Sequence, residues 1–324
     1  MNIQNDSTPS HEQEDMIDSQ EFNVVFGSDE IKRYRHKECW EKFERLTEFE
    51  KGLNRVSQNA LFERALQGRA ALLIDNDSNE VIGYQSRPKL YYEEFVDDLY
   101  PIFFPEATKP RENFPSIDVD IWSGAMIDYY HRGKGGNIFI KKELDARLAE
   151  AREKSGETNP VLKIGEARDI RSIALHVSKL DMNLVDAKKF PYLKVLAEYA
   201  PFPPGQGDRS RIGFFPLDWA TDEQIGKIRD ILVSGKRVER NQFSTPSVLL
   251  VSDIELAEAF EESIDALMKQ VDLKEKMGLR TTHLGTTFSI STIQKQFPWV
   301  DEPVNLFTFA AGLAKLSKQY RRGR

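Results

Sequence analysis

The chain has 324 residues with 45 basic and 52 acidic side chains, a formal net charge of −7, and 40% of its residues are hydrophobic. This apolar content can fill a sizeable core and excludes wholesale disorder, and the length predicts about two domains. No run of about 18 apolar residues is present, so no membrane-spanning helix is predicted. The acidic balance argues against general affinity for nucleic acid.

The amino-terminal residues predict a disordered acidic tail over 1–20, since this stretch carries acidic but no basic residues and little that could be buried. It has neither a basic start nor an apolar stretch, so we expect no secretory signal.

Cys39 is the single cysteine, which excludes an intramolecular disulfide. The histidines show no ligand spacing and predict no metal site. Together these features predict a cytoplasmic protein.

Two helices followed by a hairpin are predicted next. Apolar residues recur at helical spacing within Lys37–Glu50 and within Ser57–Gln67. The apolar run Ala70–Ile74, the polar turn at 75–79 and the apolar run Val81–Tyr84 are typical of two antiparallel strands.

Residues 88–116 form an insertion in which tyrosine and phenylalanine alternate with prolines. Such a segment is either an irregular loop held on the core by its aromatic side chains, or a lid or wall of a binding pocket. The sequence leaves both interpretations open.

A long two-faced strand is predicted from Ile117 to Ile127, because apolar residues alternate with a second set that includes Asp118, Asp120 and Trp122. It leads into a glycine-rich turn at 131–137. The helix predicted after this turn carries an apolar stripe of Ile140, Leu144, Leu148 and Ala151.

The next elements are a short strand at Val161–Ile164 and a helix at Arg171–Leu180. Beyond them, Phe190–Phe202 reads as a strand that pairs with Arg211–Leu217, while Ala187–Ala200 reads equally well as a helix. Periodicity does not decide between these two.

Residues 218–324 are predicted to form a separate α/β domain. Its elements would be a helix at Thr221–Leu232, a buried strand at Ser247–Val251, a helix that begins at a capping box of Ser252 and Glu255, and a last helix near Val304–Tyr320.

The glycine-rich turn predicts an anion site. Gly133, Gly135 and Gly136 let the main chain approach a ligand, and a following helix offers unpaired N–H groups to a pyrophosphate. Arg132 and Lys134 add positive charge. A nucleoside-triphosphate loop is disfavoured because Gly135 follows the Gly-Lys pair, and a dinucleotide motif is disfavoured because its final glycine is absent.

The segment Arg132-Gly133-Lys134-Gly135-Gly136-Asn137 resembles motif A of the GNAT family of N-acetyltransferases, with Asn137 where that family has glycine or alanine. The preceding hairpin and the elements on either side stand in the family's order over about 22–217. The resemblance implies an α/β (α+β) fold over 21–217, with a mixed, mostly antiparallel sheet flanked by helices. The α/β domain at 218–324 would be an addition to it.

This resemblance implies a function as well. Family members move an acetyl group from acetyl-CoA, or another acyl-CoA, to an amine that attacks the thioester directly, without a metal. Their fourth and fifth strands diverge, the pantetheine of the cosubstrate pairs with the gap between them, and its pyrophosphate sits on the turn. Carried over, the main chain of Met126 and Ile127 would meet the pantetheine, and the segment 132–137, with the amides of Gly133 to Asn137, would hold the pyrophosphate.

The resemblance also implies candidates for the general acid and the general base of the transfer. Asp118 and Asp120 are the candidate bases; the alternative is that they form a solvated strand face. The family's general acid is often a tyrosine at the position that is Val177 here. His176, its neighbour, is a candidate substitute, and the alternative is an ordinary surface or packed histidine.

The expected acceptor is a small-molecule or protein amine. One rival hypothesis is a catalytically inactive, GNAT-like acyl-CoA sensor or scaffold, which the absent tyrosine and Asn137 motivate. Another is a nucleic-acid-associated protein that uses 218–324 and its basic end, although the acidic balance argues against it. No membrane partner is expected, and the sequence leaves oligomerisation open.

Overall fold

The chain divides into two compact units, each made from two segments of sequence. Unit 1 comprises residues 1–86 and 124–156, and unit 2 comprises residues 87–123 and 157–324. The computed structural model describes residues 21–26, 28–41, 62–63, 65–66, 70–86, 114–122, 125–127, 136–199, 218–234, 246–273, 278–281, 286–289, 295, 297–300 and 302–322.

The protein has a mixed α/β architecture. The described strands are β1 (Phe22–Val25), β2 (Ala70–Asp75), β3 (Glu80–Ser86), β4 (Asp118–Trp122), β5 (Ala125–Ile127), β6 (Val161–Ala167), β7 (Asn183–Val185), β8 (Val248–Val251), β9 (Gly278–Thr281) and β10 (Thr286–Ser289). The described helices are α1 (Ser28–Ile31), α2 (Gly136–Ser155), α3 (Ile170–Lys179), α4 (Pro191–Tyr199), α5 (Asp222–Val233), α6 (Ile254–Leu273) and α7 (Pro303–Arg322). Short 3-10 turns lie at Lys32–Tyr34, Lys37–Trp40 and Pro298–Val300.

Unit 1 contains an antiparallel sheet with the strand order β1-β2-β3-β5. The predicted hairpin is confirmed as β2 and β3. Its turn is fixed by Asp75, whose carboxylate accepts hydrogen bonds from the Asp77 main chain at 3.0 Å and from the Ser78 hydroxyl at 2.8 Å. Asn79 closes the turn in the left-handed region at φ 57°, a conformation that asparagine adopts more readily than most residues.

Both faces of the unit 1 sheet are covered. Ile140 and Leu144 of α2 pack on one face, as their stripe predicted, whereas Ala151 at the end of that stripe is exposed. The other face packs against a cluster that includes Ile31 and Trp40. Unit 1 is therefore a sheet between two apolar layers, and α2 is anchored to it by its first turns.

Unit 2 contains a mixed sheet with the order β4-β6-β8-β7. β4 and β6 are parallel, and the pairs β6–β8 and β8–β7 are antiparallel. The helices α3 and α5 cover one face, and α4, α6 and α7 cover the other. The strands β9 and β10 form an antiparallel pair of their own.

The predicted single strand 117–127 is wrong in one respect, because the structure divides it into β4 and β5. Each half takes a different partner: Asp120 of β4 lies beside Lys163 of β6, while Met126 of β5 lies beside Tyr84 of β3. β4 belongs to the sheet of unit 2 and β5 to the sheet of unit 1.

Within the segment 187–200, which periodicity left undecided, residues Pro191–Tyr199 form the helix α4. Its buried positions are Tyr192, Leu193, Val195, Leu196 and Ala197, which lie on several sides of the helix. The helix packs against α6, α7 and the sheet, so apolar residues are needed on several of its sides. Its sequence therefore lacks the polar stripe by which a helical period is recognised.

The helices α5 and α6 both begin at a side-chain cap. At α5, Thr221 and Gln224 form a reciprocal capping box. The predicted box of Ser252 and Glu255 at α6 is wrong: Asp253 is the cap, and its carboxylate accepts from the main chain of Leu256 at 3.0 Å. The Ser252 hydroxyl instead accepts from the main chain of Lys163 in β6 at 3.0 Å.

The strand β8, within the segment expected to form a separate domain at 218–324, lies between β6 and β7 in the unit 2 sheet.

Several predicted elements lie outside the described residues. They are most of the two early helices, the tail 1–20, the strand at 211–217 and the insertion 88–116 up to residue 113. Phe114, at the end of that insertion, is buried in the unit 2 core. Among the described residues, no helix combines the length and apolar character needed to cross a bilayer.

Candidate functional site

One face of β4 carries two carboxylates and an indole. Asp118, Asp120 and Trp122 are spaced by two residues, so their side chains lie on the same side of the strand. Asp118 is 4% exposed and Asp120 is 0% exposed. The alternative of a solvated strand face is therefore wrong, because this side of the sheet lies under α3.

The indole of Trp122 links the Asp120 carboxylate to β6. Its Nε1 donates a hydrogen bond to Oδ2 of Asp120 at 2.9 Å. Lys163 is the neighbour of Asp120 in the parallel pair of strands, and its Nζ lies 5.6 Å from the centroid of the Trp122 ring. The side chains of adjacent strands thus place an ammonium, an indole and a carboxylate together.

His176 of α3 approaches the same indole. It is 7% exposed, and its ring centroid lies 6.1 Å from that of Trp122 with an interplanar angle of 56°. Its Nδ1 lies 2.6 Å from the carbonyl oxygen of Ser172. A carbonyl only accepts, so this contact assigns the proton to Nδ1 and leaves the lone pair of the neutral ring on Nε2.

These residues form what we call the Trp122 cluster: Asp118, Asp120, Trp122, Lys163 and His176. It combines carboxylate oxygens and an imidazole nitrogen, which can accept a proton, with an ammonium and an aromatic face. All of it belongs to unit 2. The structure thus brings two of the predicted candidates, Asp120 and His176, to Trp122. The third, Asp118, is buried two residues before Asp120 on the same face of β4.

The predicted acyl-CoA contacts lie in unit 1, and the structure describes part of them. Met126 and Ile127 are in β5, at one end of the strand order β1-β2-β3-β5. Gly136 and Asn137 are the first residues of α2. The remaining predicted contacts lie outside the described residues: Arg132, Gly133, Lys134 and Gly135.

Two further buried ionisable groups lie away from the Trp122 cluster. Lys141 of α2 is buried, and desolvation lowers the pKa of its ammonium to about 7, against the opposing effect of Asp145. Glu261 of α6 is buried beside the start of α4, and desolvation raises the pKa of its carboxyl to about 7. Within the described part of the chain, no group of three or more His, Cys, Asp and Glu is arranged to hold a metal ion.

Sequence reasoning did not single out Lys163 and gave Trp122 no role. The sequence did indicate that Trp122 shares a strand face with Asp118 and Asp120, because the three residues are spaced by two. Placing Lys163 required the register of β4 and β6, which a parallel pair joined through a long connection does not reveal in its sequence.

Comparison with known proteins gives little direct guidance. No family model and no curated protein matches the sequence. A solved structure of a mosquito protein, described as arylalkylamine N-acetyltransferase like 5b, is 12% identical and covers 71% of this chain and 98% of its own. Its TM-score is 0.35, which is too low to establish a common fold.

Proposed function

We propose that this protein is a GNAT-type acyltransferase that moves an acetyl or other acyl group from acyl-CoA to an amine. The observation that carries the proposal is the change of partner within residues 118–127. β4 runs parallel to β6, and β5, three residues further along, is antiparallel to β3. In the GNAT family the fourth strand diverges from the fifth, and a strand that pairs with β6 only in its first half is what this divergence predicts. A glycine-rich segment and a helix follow it here, as in motif A.

The acyl-CoA contacts are proposed for the stretch from β5 to α2. Main-chain groups of Met126 and Ile127, in a strand at one end of its sheet, can pair with the amides of pantetheine as a further strand would. The N–H groups at the start of α2, at Gly136 and Asn137, suit a pyrophosphate, which the helix dipole also favours. Bound there, acyl-CoA would supply the thioester that an amine attacks.

The proton transfers are proposed for the Trp122 cluster. An amine must lose a proton to attack, and the departing thiolate must gain one. Asp120 is the first candidate base because the hydrogen bond from Trp122 fixes the orientation of its carboxylate. Asp118 is the second. Nε2 of His176 carries the lone pair in the neutral ring, so this residue can accept a proton and afterwards donate it.

Thermal unfolding with ligands tests the binding half of the proposal. A ligand that binds only the folded chain raises the melting temperature, by about 2.7 kcal/mol of stability at 100 times its Kd. We expect stabilisation by acetyl-CoA or a longer acyl-CoA, and less by ATP at the same concentration. Equal or greater stabilisation by ATP would contradict the proposal.

Turnover tests the catalytic half. With acyl-CoA and a panel of amines, release of free thiol should depend on the amine. Asp120→Asn keeps an oxygen that can accept from Trp122, so we expect the fold and the acyl-CoA stabilisation to persist while kcat falls by about 10²–10⁴. Stabilisation by acyl-CoA without turnover of any amine would instead indicate an inactive acyl-CoA-binding protein.

A further inference from the structure

The strand β7 forms one edge of the unit 2 sheet, because it stands at the end of the described strand order β4-β6-β8-β7. Its residues are Asn183, Leu184 and Val185, none of which is charged. An edge strand presents main-chain N–H and C=O groups with which another chain can pair, and charged side chains at the edge are one way in which proteins prevent this. A charge at this edge has to come from outside the strand.

The register of the sheet shows which main-chain groups of β7 face outward. The N–H of Ser252 donates to the carbonyl of Lys163 at 2.9 Å, so these residues form a hydrogen-bonded pair at the end of β6 and β8. Such pairs alternate along antiparallel strands, so Leu250 also points its main chain at β6, and its neighbours in β8 point theirs at β7. Leu184 lies opposite Leu250. Its N–H and C=O therefore point away from β8, to the outside of the sheet.

A side chain of α5 occupies this outward carbonyl. Nη2 of Arg229 donates to the carbonyl oxygen of Leu184 at 2.8 Å, across 45 residues of sequence. Arg229 lies one turn after Ile225 and one turn before Leu232, on the side of α5 whose apolar residues pack with Leu184. A helix stripe that covers a sheet is normally apolar, so an arginine within it is unusual. Its long side chain reaches the edge of the sheet that the stripe covers.

The sequence of α5 offers this arginine no acidic partner within a turn. Lys227, the other basic residue of α5, pairs with Glu223 one turn earlier at 2.7 Å. Carboxylates could pair with Arg229 in the same way from three or four residues on either side. Those positions hold no carboxylate: Ile225, Gly226, Leu232 and Val233. The guanidinium is thus directed to the edge strand.

We propose that Arg229 closes the outer edge of the unit 2 sheet against a second copy of the chain. Where the guanidinium is absent, the β7 strands of two copies can pair antiparallel about a twofold axis, with Leu184 opposite Leu184. Each outward carbonyl then accepts from the outward N–H of the other copy. The strands carry no like charges that would oppose this pairing. The inference concerns assembly and does not depend on the proposed function.

The self-association of the full-length chain, measured by sedimentation over a range of concentrations, tests the proposal. Arg229→Met keeps a long unbranched stem and removes the donor. A strand that adds to β7 no longer has to displace a charged hydrogen-bond donor, so we expect association about tenfold tighter than that of the unaltered chain. Arg229→Ala should show the same gain and serves if the methionine variant does not fold. Lys227→Met is the matched control, since it removes an equal charge from the same helix, and it should associate as the unaltered chain does.

Hydrogen–deuterium exchange locates the new interface. In Arg229→Met, deuterium uptake by the peptide that contains β7 should fall as the protein concentration rises, because the outward N–H of Leu184 becomes hydrogen-bonded. The same peptide in Lys227→Met should not respond to concentration. Association of the Arg229 variants no tighter than that of the unaltered chain, an equal gain in Lys227→Met, or a gain without protection of the β7 peptide would overturn the proposal.

Discussion

The buried carboxyl of Glu261 should make the stability of the protein depend on pH in a characteristic direction. Glu261 accepts hydrogen bonds from the main-chain N–H groups of Tyr192 at 3.1 Å and Leu193 at 2.7 Å, in the first turn of α4. Desolvation raises its pKa, the two hydrogen bonds lower it, and the nearby charge of Asp265 raises it, with a net value of about 7.

The sign follows from comparing the folded and unfolded chains. With a pKa of about 7 when folded and an ordinary value of 4.5, Glu261 binds an extra proton in the folded chain between these pH values. Its stabilising contribution is fully present below pH 4.5 and is lost as the pH rises through 7. The difference between the two pKa values corresponds to about 3 kcal/mol of unfolding free energy.

Urea-induced unfolding at pH 5 and at pH 8 measures this contribution. Glu261→Gln stays neutral at both, so the unfolding free energy of the unaltered chain minus that of the variant should fall by about 2–3 kcal/mol from pH 5 to pH 8. Glu262→Gln, at the exposed next position, is the matched control and should show no such change. An unchanged difference for Glu261→Gln, or an increase with pH, would refute the reasoning.

Two further predictions concern local packing and capping. Gly165→Ala should change the melting temperature by no more than about 2 °C, because the nearest atom to the new Cβ would be the Trp122 carbonyl oxygen at 3.9 Å, an ordinary contact; a fall of many degrees would show that this space is needed. Asp253→Ala should cost about 1 kcal/mol of unfolding free energy through loss of the α6 cap, while Glu255→Ala should cost a few tenths. Urea unfolding checks this pair, and equal costs would restore the cap predicted from Ser252 and Glu255.

Periodicity predicted those elements that bury one face only. The stripe of Ile140 and Leu144 placed α2 correctly because its opposite side is polar. The turn after Asp75 was equally readable, since its polar residues form their hydrogen bonds locally. In both cases the physical cause lies within a few residues along the chain.

Long-range contacts explain what could not be predicted. The N-cap of α6 was misassigned because Ser252 and Asp253 are both good capping residues, and only the pairing of Ser252 with the main chain of Lys163 decides between them. The break between β4 and β5 likewise depends on which strand lies alongside each half.

The candidate site shows the same limit. Alternation placed Asp118, Asp120 and Trp122 on one face, but it could not say whether water or a helix covers that face. The answer depends on α3, more than forty residues further along the chain, which brings His176 to the indole. Lys163 joins them through the register of two parallel strands, a property of the pair and not of either sequence.

The order of strands in unit 2 has a consequence for synthesis on the ribosome. β8 is the last of that sheet's strands to be made, yet it lies between β6 and β7. Until residue 251 has left the exit tunnel, β7 lacks its partner and β6 has only β4 beside it, so nascent unit 2 exposes strand edges that invite pairing with other chains. The second segment of unit 1 has by then long been made, so its sheet can close first. A fragment that stops at residue 217 would keep unit 2 in this unfinished state permanently.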